Sequence, residues 1–438
     1  MRVPAALARA TGALPRPLVE VLRRLGDAGH RSWIVGGAVR DLLLHRPREA
    51  TDFDVATPAT PREVTALFAK VIPTGVEHGT VTVVSGGLAI EVTTFRGEGA
   101  YVDGRRPESV TFHTDLEADL ARRDFTMNAL AWDPLAGEFR DPHGGRADMA
   151  RRIVRAVGVA AERFAEDGLR PMRAVRFAAQ LEYGLAPSTR AAIPGALPVV
   201  RKVAIERISE ELGLLAVAPD AARAIGLMRS TGLLGVVLPP LASLADAAQV
   251  HASKVLGAVP PDAALRLAAL LHGLGAEAAE RLLVDLRQPR RVTDEVVALL
   301  RGHACRAEAR ATVLARTQVE ARRWLSRTGP ARADALVALA RAEALALPAR
   351  ARAAALAEVK ELEREISQIR RAAPPLVAQD LALDGRAAMA ILGVGPGPHV
   401  GEALRHLLER VLEDPALNTP AALEEALRHW WAGRARGA

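Results

Sequence analysis

The chain has 438 residues and a net charge of +7; half its residues are hydrophobic, a quarter are charged, and only 3% are aromatic. That length supports two to four domains and a sizeable core. The single cysteine, Cys305, excludes an internal disulfide framework and a cysteine-based zinc site, and the low aromatic content excludes a long stacking platform for single-stranded nucleic acid. A positive balance fits a phosphate-rich partner such as RNA. Nearly all of it is arginine, however, with lysine only at 70, 202, 254 and 360, a usage that coding bias also produces. Met1 to Leu14 lacks the long apolar core of a signal peptide, and no uncharged apolar run reaches membrane-spanning length. The expected location is cytoplasmic, away from membranes.

In chain order, residues 17–28 read as a helix, Trp33-Ile34-Val35 as a buried strand, Gly36-Gly37 as a turn and residues 39–44 as a second helix. Glycines at such a turn let backbone N–H groups approach a phosphate at a helix N-terminus. A short polar connection leads to Asp52-Phe53-Asp54, where a strand over 53–56 begins. Alternation turns Asp52 and Asp54 to one side and Phe53 to the core. Two carboxylates crowded on one face repel each other unless a cation sits between them, and hard oxygen ligands of this kind suit Mg²⁺, which shares its shell with substrate phosphates. A helix follows over 61–68. Residues 80–85 and 88–95 then form a hairpin closed by Gly86-Gly87. Glu91, between Ile90 and Val92, is either a third carboxylate for the metals or a solvated strand glutamate.

The segment from Leu120 to Leu130 offers Phe125 and Leu130 as apolar anchors, and Arg122, Arg123, Asp124 and Asn128 as donors and acceptors. An arginine fork suits a triphosphate, and Asp124 is able to accept a ribose hydroxyl proton; the alternative is a surface Arg–Asp cluster. Beyond residue 155, alanine, leucine and arginine dominate at helical spacing, punctuated by Pro239-Pro240, Pro260-Pro261 and Pro374-Pro375. Asp167, Arg170, Arg173 and Arg176 recur every third residue, which predicts a slanting polar ridge on a helix that starts near Gly168, with Pro171 in its first turn. An acid beside an arginine matches the amino group and ring nitrogen of cytosine and of adenine, and opposes uracil and guanine. The same spacing without context reads as a solvated salt bridge. Residues 349–372 read as a long charged helix, and 393–398 as a loop before a last helix from Gly401. No fixed-period repeat supports a helical solenoid. The fold class is α+β: a small mixed β-sheet head with helices, followed by an elongated all-α remainder.

On these residues the chain resembles the class II tRNA nucleotidyltransferases of the polymerase-beta superfamily, which include CCA-adding enzymes and bacterial poly(A) polymerases. The matching motifs are Gly36-Gly37-Ala38-Val39-Arg40-Asp41, Asp52-Phe53-Asp54, Arg122-Arg123-Asp124-Phe125-Thr126-Met127-Asn128-Ala129, Glu166-Asp167-Gly168-Leu169-Arg170 and Arg207-Ile208-Ser209-Glu210-Glu211-Leu212. They run in family order over roughly residues 30 to 215, and such a series is far more specific than any one short motif. The resemblance implies a nucleotidyltransferase head (1–155), a neck for base recognition (156–235), a body with a degenerate HD-like region (236–350) and a tRNA-contacting tail (351–438). It implies that Asp52 and Asp54 hold two Mg²⁺ ions, with Glu91 the candidate third acid. Gly36, Gly37 and Arg40 would meet the triphosphate, Arg123, Asp124 and Asn128 the phosphates and ribose, and Asp167 and Arg170 the base, supported by Arg173 and Arg176. The implied reaction is attack of the tRNA 3′-hydroxyl on the α-phosphate of CTP or ATP, with pyrophosphate released and no nucleic-acid template.

Finer activities stay open at this stage. Gly75-Val76-Glu77-His78-Gly79-Thr80-Val81 looks like the tRNA-specific branch rather than the poly(A) branch. Tyr101-Val102-Asp103-Gly104-Arg105-Arg106-Pro107 looks like the loop that CC-only relatives lack, which leaves full CCA addition and A-only addition as alternatives. A nucleotide- or RNA-binding protein without catalysis is a reading of a different class. Leu267 to Gly275 resembles a phosphohydrolase helix, with His251 a further remnant, but Gly273 stands where the metal-binding aspartate would be, so no phosphohydrolase activity is expected. No obligate protein partner is inferred.

Overall fold

The computed structural model describes residues 2–46, 53–98, 101–102, 106–107, 110–112, 115–308 and 317–435. These fall into two compact units, Met1–Ser243 and Leu244–Ala438.

The first unit is built on a seven-stranded mixed sheet. Its strands are β1 (Trp33–Val35), β2 (Asp54–Thr57), β3 (Val71–Gly75), β4 (Thr80–Ser85) and β5 (Leu88–Thr94). Two short ribbons follow, β6 (Arg96–Glu98) with β9 (Val110–Phe112) and β7 (Tyr101–Val102) with β8 (Arg106–Pro107). β10 (Ala131–Asp133) and β11 (Glu138–Arg140) then return to the main sheet, whose order is β11-β10-β1-β2-β5-β4-β3. β2 runs parallel to β5 and antiparallel to β1. Strands β4 and β5 are the expected hairpin, with Ser85 paired to Leu88 across Gly86-Gly87. β2 begins at Asp54 and runs to Thr57, one residue later at each end than expected, and Phe53 is buried just before it.

Trp33, Val35, Ala56, Phe95, Leu120, Ala129 and Ala131 close one core cluster around β1 and β2. The expected helices lie at Arg16–Asp27, Gly37–Leu43 and Pro61–Leu67. In Pro61–Leu67 a capping box, Thr60 with Glu63, satisfies the first orphan N–H groups.

One expectation is corrected in the helical part of this unit. The polar ridge was expected on a single helix from about Gly168. Helix Ala160–Glu166 instead ends before Asp167, which has extended backbone, and the next helix is Arg170–Leu181. Asp167 therefore sits in the turn, and only Arg170, Arg173 and Arg176 share the helix. Gly168 allows this turn: a Cβ there would lie 2.6 Å from the Val199 carbonyl oxygen, so the backbones meet directly. Helix Ile205–Ala216 packs against Arg170–Leu181.

The second unit is helical, and its long charged helix spans Ala349–Ala372 as expected. Its end is corrected: the helix expected from Gly401 begins at Pro398, runs to Glu413 and is followed by another, Pro420–Ala435. Proline at the first turn of each costs no hydrogen bond, so both starts lie on prolines that a glycine-based reading passes over. Leu383, Ala403, Leu407, Val411, Leu423 and Leu427 form the core beneath these helices. Among the described residues no helix is long and apolar enough to cross a membrane.

Candidate active site

The site grows from the end of β1. Gly36 follows Val35 with φ +72° and caps helix Gly37–Leu43. A side chain in that backbone region is strained. It would also be crowded, because a Cβ at Gly36 would lie 3.1 Å from Arg123 Nη1 and 3.4 Å from Asp54 Oδ2. The turn, the first residue of β2 and the Arg-Arg-Asp segment thus meet within one van der Waals layer. Asp54 is exposed, and its parallel partner on β5 is Glu91, also exposed. Paired positions of neighbouring strands face the same side, so Glu91 is placed beside Asp54. Asp52 lies outside the described residues, as do residues 103–105 of the loop between β7 and β8. The oxygen-only donors at Asp54 and Glu91, open to solvent beside the Gly36 turn, are the chemistry a hard divalent cation requires.

Arg123 is held by Asp119, a fully buried residue of helix Leu116–Ala121, through Nη2 at 3.1 Å. Arg122 grips the same carboxylate with Nε and Nη2 at 2.9 and 2.7 Å. Burial by itself raises the Asp119 pKa, but the charges of Arg123 and Arg122 and their hydrogen bonds outweigh it and hold the carboxyl below its ordinary range. Asp119 was not singled out from the sequence, since an acid in a short helix carries no motif of its own.

A second network joins the remaining predicted residues. Arg40, buried, donates Nη1 to Asn128 Oδ1 at 2.7 Å and grips Asp41 with Nε and Nη2. Asn128 Nδ2 donates to Asp124 Oδ1 at 3.0 Å, and the Phe125 N–H donates to the same oxygen at 2.7 Å. Asp124 Oδ2 takes Arg173 Nε and Nη2 at 2.9 and 2.8 Å. Arg173 and Arg176 both donate to Glu211, at 3.4 and 2.6 Å. Burial pushes Asp124 up, yet the Arg173 charge and the three donors hold it below the usual carboxylate range. Burial likewise lowers Arg173, but Asp124 and Glu211 more than reverse it; for Arg176 burial prevails and the pKa falls. Phe177 ties these cations together, with the guanidinium carbons of Arg40, Arg173 and Arg176 at 5.1, 5.4 and 4.1 Å from its ring centroid. Neither Phe177 nor Glu211 is read as a site residue from the sequence: the Glu211 partners Arg173 and Arg176 lie 38 and 35 positions away, and the Phe177 ring has no polar group to mark it beside its neighbours Arg173 and Arg176 and the distant Arg40.

The Asp167–Arg170 pair expected to face a base is not assembled side by side. Asp167 accepts from Leu169 N–H at 3.0 Å and from Arg207 Nη2 at 3.0 Å. Arg170 is buried and donates to Glu166 at 2.5 Å, the Arg163 carbonyl at 2.8 Å and the Arg122 carbonyl at 2.9 Å. It fastens the Arg122-Arg123-Asp124 segment to the helical layer behind it.

These carboxylates set an acid limit on stability. A group whose folded pKa lies below its unfolded value of about 3.9 contributes stability above that value and loses it as the pH falls through the folded pKa. For Asp119 and Asp124 the folded pKa is the lower one, so the loss is expected below about pH 4. Asp119→Asn is expected to flatten that acid limb in a melting series; a limb parallel to wild type would remove Asp119 from this account.

Comparison with known proteins places the chain among nucleotidyltransferases. The poly A polymerase head domain model matches residues 32–155, the RNA and SrmB-binding site of polymerase A model residues 183–244, and the tRNA nucleotidyltransferase domain 2 model residues 261–427. The chain is 46% identical to the CCA-adding enzyme of Geobacillus stearothermophilus over 64% of its own length and 68% of that protein. It is 39% identical to the CCA-adding enzyme of Lactobacillus delbrueckii subsp. bulgaricus over 93% of its length and 96% of that protein. The crystal structure of the Bacillus stearothermophilus CCA-adding enzyme in complex with CTP superposes with a TM-score of 0.76 at 34% identity, covering 97% of this chain and 99% of that one.

Proposed function

We propose the following reaction for this chain, which belongs to the CCA-adding enzyme family: template-independent addition of C and A nucleotides to the 3′ end of tRNA from CTP and ATP, with release of pyrophosphate. The observation that carries it is the convergence on Gly36 of Asp54 and Arg123, with Glu91 paired to Asp54. Acidic oxygens, a cationic fork and a backbone turn free of side chain are what a triphosphate with its cation requires.

In this reading Asp54, with Asp52 two residues earlier and Glu91 beside it, holds two Mg²⁺ ions. Such ions lower the pKa of an attacking hydroxyl and offset charge on the phosphates. The Gly36-Gly37 turn and the start of helix Gly37–Leu43 receive the phosphate oxygens, together with Arg123, which Asp119 aims at the turn. Asn128 and Asp124 form the floor on which the ribose rests, and Arg40, expected from the sequence on the triphosphate, is instead occupied by Asn128 and Asp41 and braces that floor, with Arg173 and Arg176 holding Asp124 and Glu211 in place. Asp167 and Arg170 select the base. Selection then requires Asp167 to exchange its bond to Arg207, and Arg170 at least part of its bonding to Glu166, for the nucleotide edge. Transfer is one displacement: the tRNA 3′-oxygen forms a bond to the α-phosphorus, the bond to the β-phosphate oxygen breaks, and the hydroxyl proton leaves to solvent or base. Residues up to about 155 serve as head, 156–235 as neck, 236–350 as body and 351–438 as tail, in the cytoplasm where tRNA matures. The tRNA nucleotidyltransferase match over 261–427 supports tRNA as the acceptor.

Three tRNA transcripts test the reaction, ending at the discriminator base, in C, or in CC. With Mg²⁺ and labelled CTP and ATP, all three are expected to finish at CCA. CMP transfer to the first transcript separates full CCA addition from A-only addition. Long A tails would point to poly(A) synthesis, and no transfer to any transcript would overturn the proposal.

A further inference from the structure

We propose that the helical unit Leu244–Ala438 carries a zinc site of its own, formed by His251, His272 and Glu343. His251 lies on helix Asp246–Ala258, His272 opens the short turn His272–Leu274 after helix Ala263–Leu271, and Glu343 lies on helix Ala333–Ala346. These three helices pack against one another, burying Leu256, Leu271 and Ala340. All three side chains are half-buried, and one ligand atom from each lies within 4.8 Å of the other two. Some point lies within about 2.8 Å of all three such atoms, so rotamer adjustments of under about 1 Å reach the zinc bond lengths of about 2.0–2.2 Å. Two imidazoles and one carboxylate are a zinc donor set that leaves a fourth position for water.

The surroundings of each ligand favour this use over simple packing. His272 Nδ1 is 2.7 Å from the Ala269 carbonyl oxygen. A carbonyl only accepts, so this bond places the proton on Nδ1 and leaves the Nε2 lone pair available. His251 also has a hydrogen bond to the backbone of Ala346. Anchoring one ring nitrogen on a backbone acceptor is how metal-binding histidines have their tautomer and orientation set. His303 completes the group: its Nε2 lies 3.5 Å from Glu343 Oε2, and its ring meets His272 edge-on at 5.9 Å. It acts as a positioning residue for the Glu343 carboxylate. The sequence alone shows His272 followed by Gly273, and Glu343 is more than 70 positions further along; only the packing of three helices brings these donors together. The zinc would clamp those helices, independently of the nucleotide-transfer reading.

The test uses the full chain, stripped of metal by chelator and kept in millimolar Mg²⁺ to occupy the exposed acids of the N-terminal unit. Equilibrium dialysis against Zn²⁺ is expected to give one ion per chain, with a rise in melting temperature of at least about 5 °C. Co²⁺ in its place is expected to show the intense visible bands of a four-coordinate nitrogen and oxygen site. His272→Gln and the near-isosteric Glu343→Gln are each expected to weaken Zn²⁺ binding at least tenfold while leaving nucleotide transfer unchanged. Equal Zn²⁺ affinity in wild type and Glu343→Gln, or wild-type protein lacking the Co²⁺ bands, would overturn the proposal; the latter needs no variant to fold.

Discussion

Asp54→Ala is expected to reduce nucleotide transfer at least about 10³-fold, equivalent to about 4 kcal/mol of transition-state stabilisation, with the melting temperature within about 2 °C of wild type. The two halves of this expectation come from the same placement. Asp54 is the first residue of β2 and is exposed, so its removal opens no buried cavity. Its carboxylate also sits beside its strand partner Glu91, so the substitution relieves a like-charge pair. What is lost is the oxygen that faces the Gly36 turn and Arg123. Steady-state transfer of CMP and AMP over a Mg²⁺ titration measures it. Loss that excess Mg²⁺ does not restore, in protein that melts like wild type, is the expected result. Full activity would remove Asp54 from the chemistry, and a large melting shift would make it structural.

What could be read along the chain follows the range of the forces involved. The Gly86-Gly87 hairpin and the capped helix Pro61–Leu67 depend on residues within a few positions of each other, and both stand where turn and cap chemistry place them. The long helix Ala349–Ala372 is equally local, with proline before it and charge along it. β10 and β11, of three residues each, are too short for a period to show, and they exist because β1 offers Ile34 and Val35 as pairing partners about a hundred positions away. The site divides in the same way. Gly36, Asp54, Arg123, Asp124, Asn128 and Arg173 could be named from motifs. The groups that aim them could not: Asp119 is buried under two arginines, Glu211 joins Arg173 to Arg176, and Phe177 lies beneath three guanidinium groups. A three-residue spacing also misplaced Asp167, since periodicity counts positions without seeing that the Gly168 turn against Val199 interrupts the helix.

That turn gives Asp167 and Arg170 different expected phenotypes. Asp167 is part-exposed and paired with part-exposed Arg207, an arrangement that contributes little to stability. Asp167→Ala is therefore expected to melt close to wild type, yet to lose rejection of UTP by about 10²-fold, the equivalent of one or two polar groups no longer matched. Asp167→Asn goes further. Its amide presents a donor where the carboxylate presented only acceptors, so it meets the uracil carbonyl favourably and is expected to raise UTP use above the alanine variant. Arg170→Ala behaves otherwise, because it strips Glu166 and the Arg122 and Arg163 carbonyls of a buried donor. Its melting temperature is expected to fall by several degrees, and transfer of every nucleotide with it, since the Arg123 and Asp124 segment loses its anchor, on top of the relaxed rejection of UTP that follows from losing half of the selecting pair. Competition between CTP, ATP and UTP on a tRNA ending at the discriminator base, beside melting curves for the three variants, separates the cases. Undiminished UTP rejection in both Asp167 variants would assign base selection to other residues and leave the Asp167–Arg207 pair a structural contact of the turn.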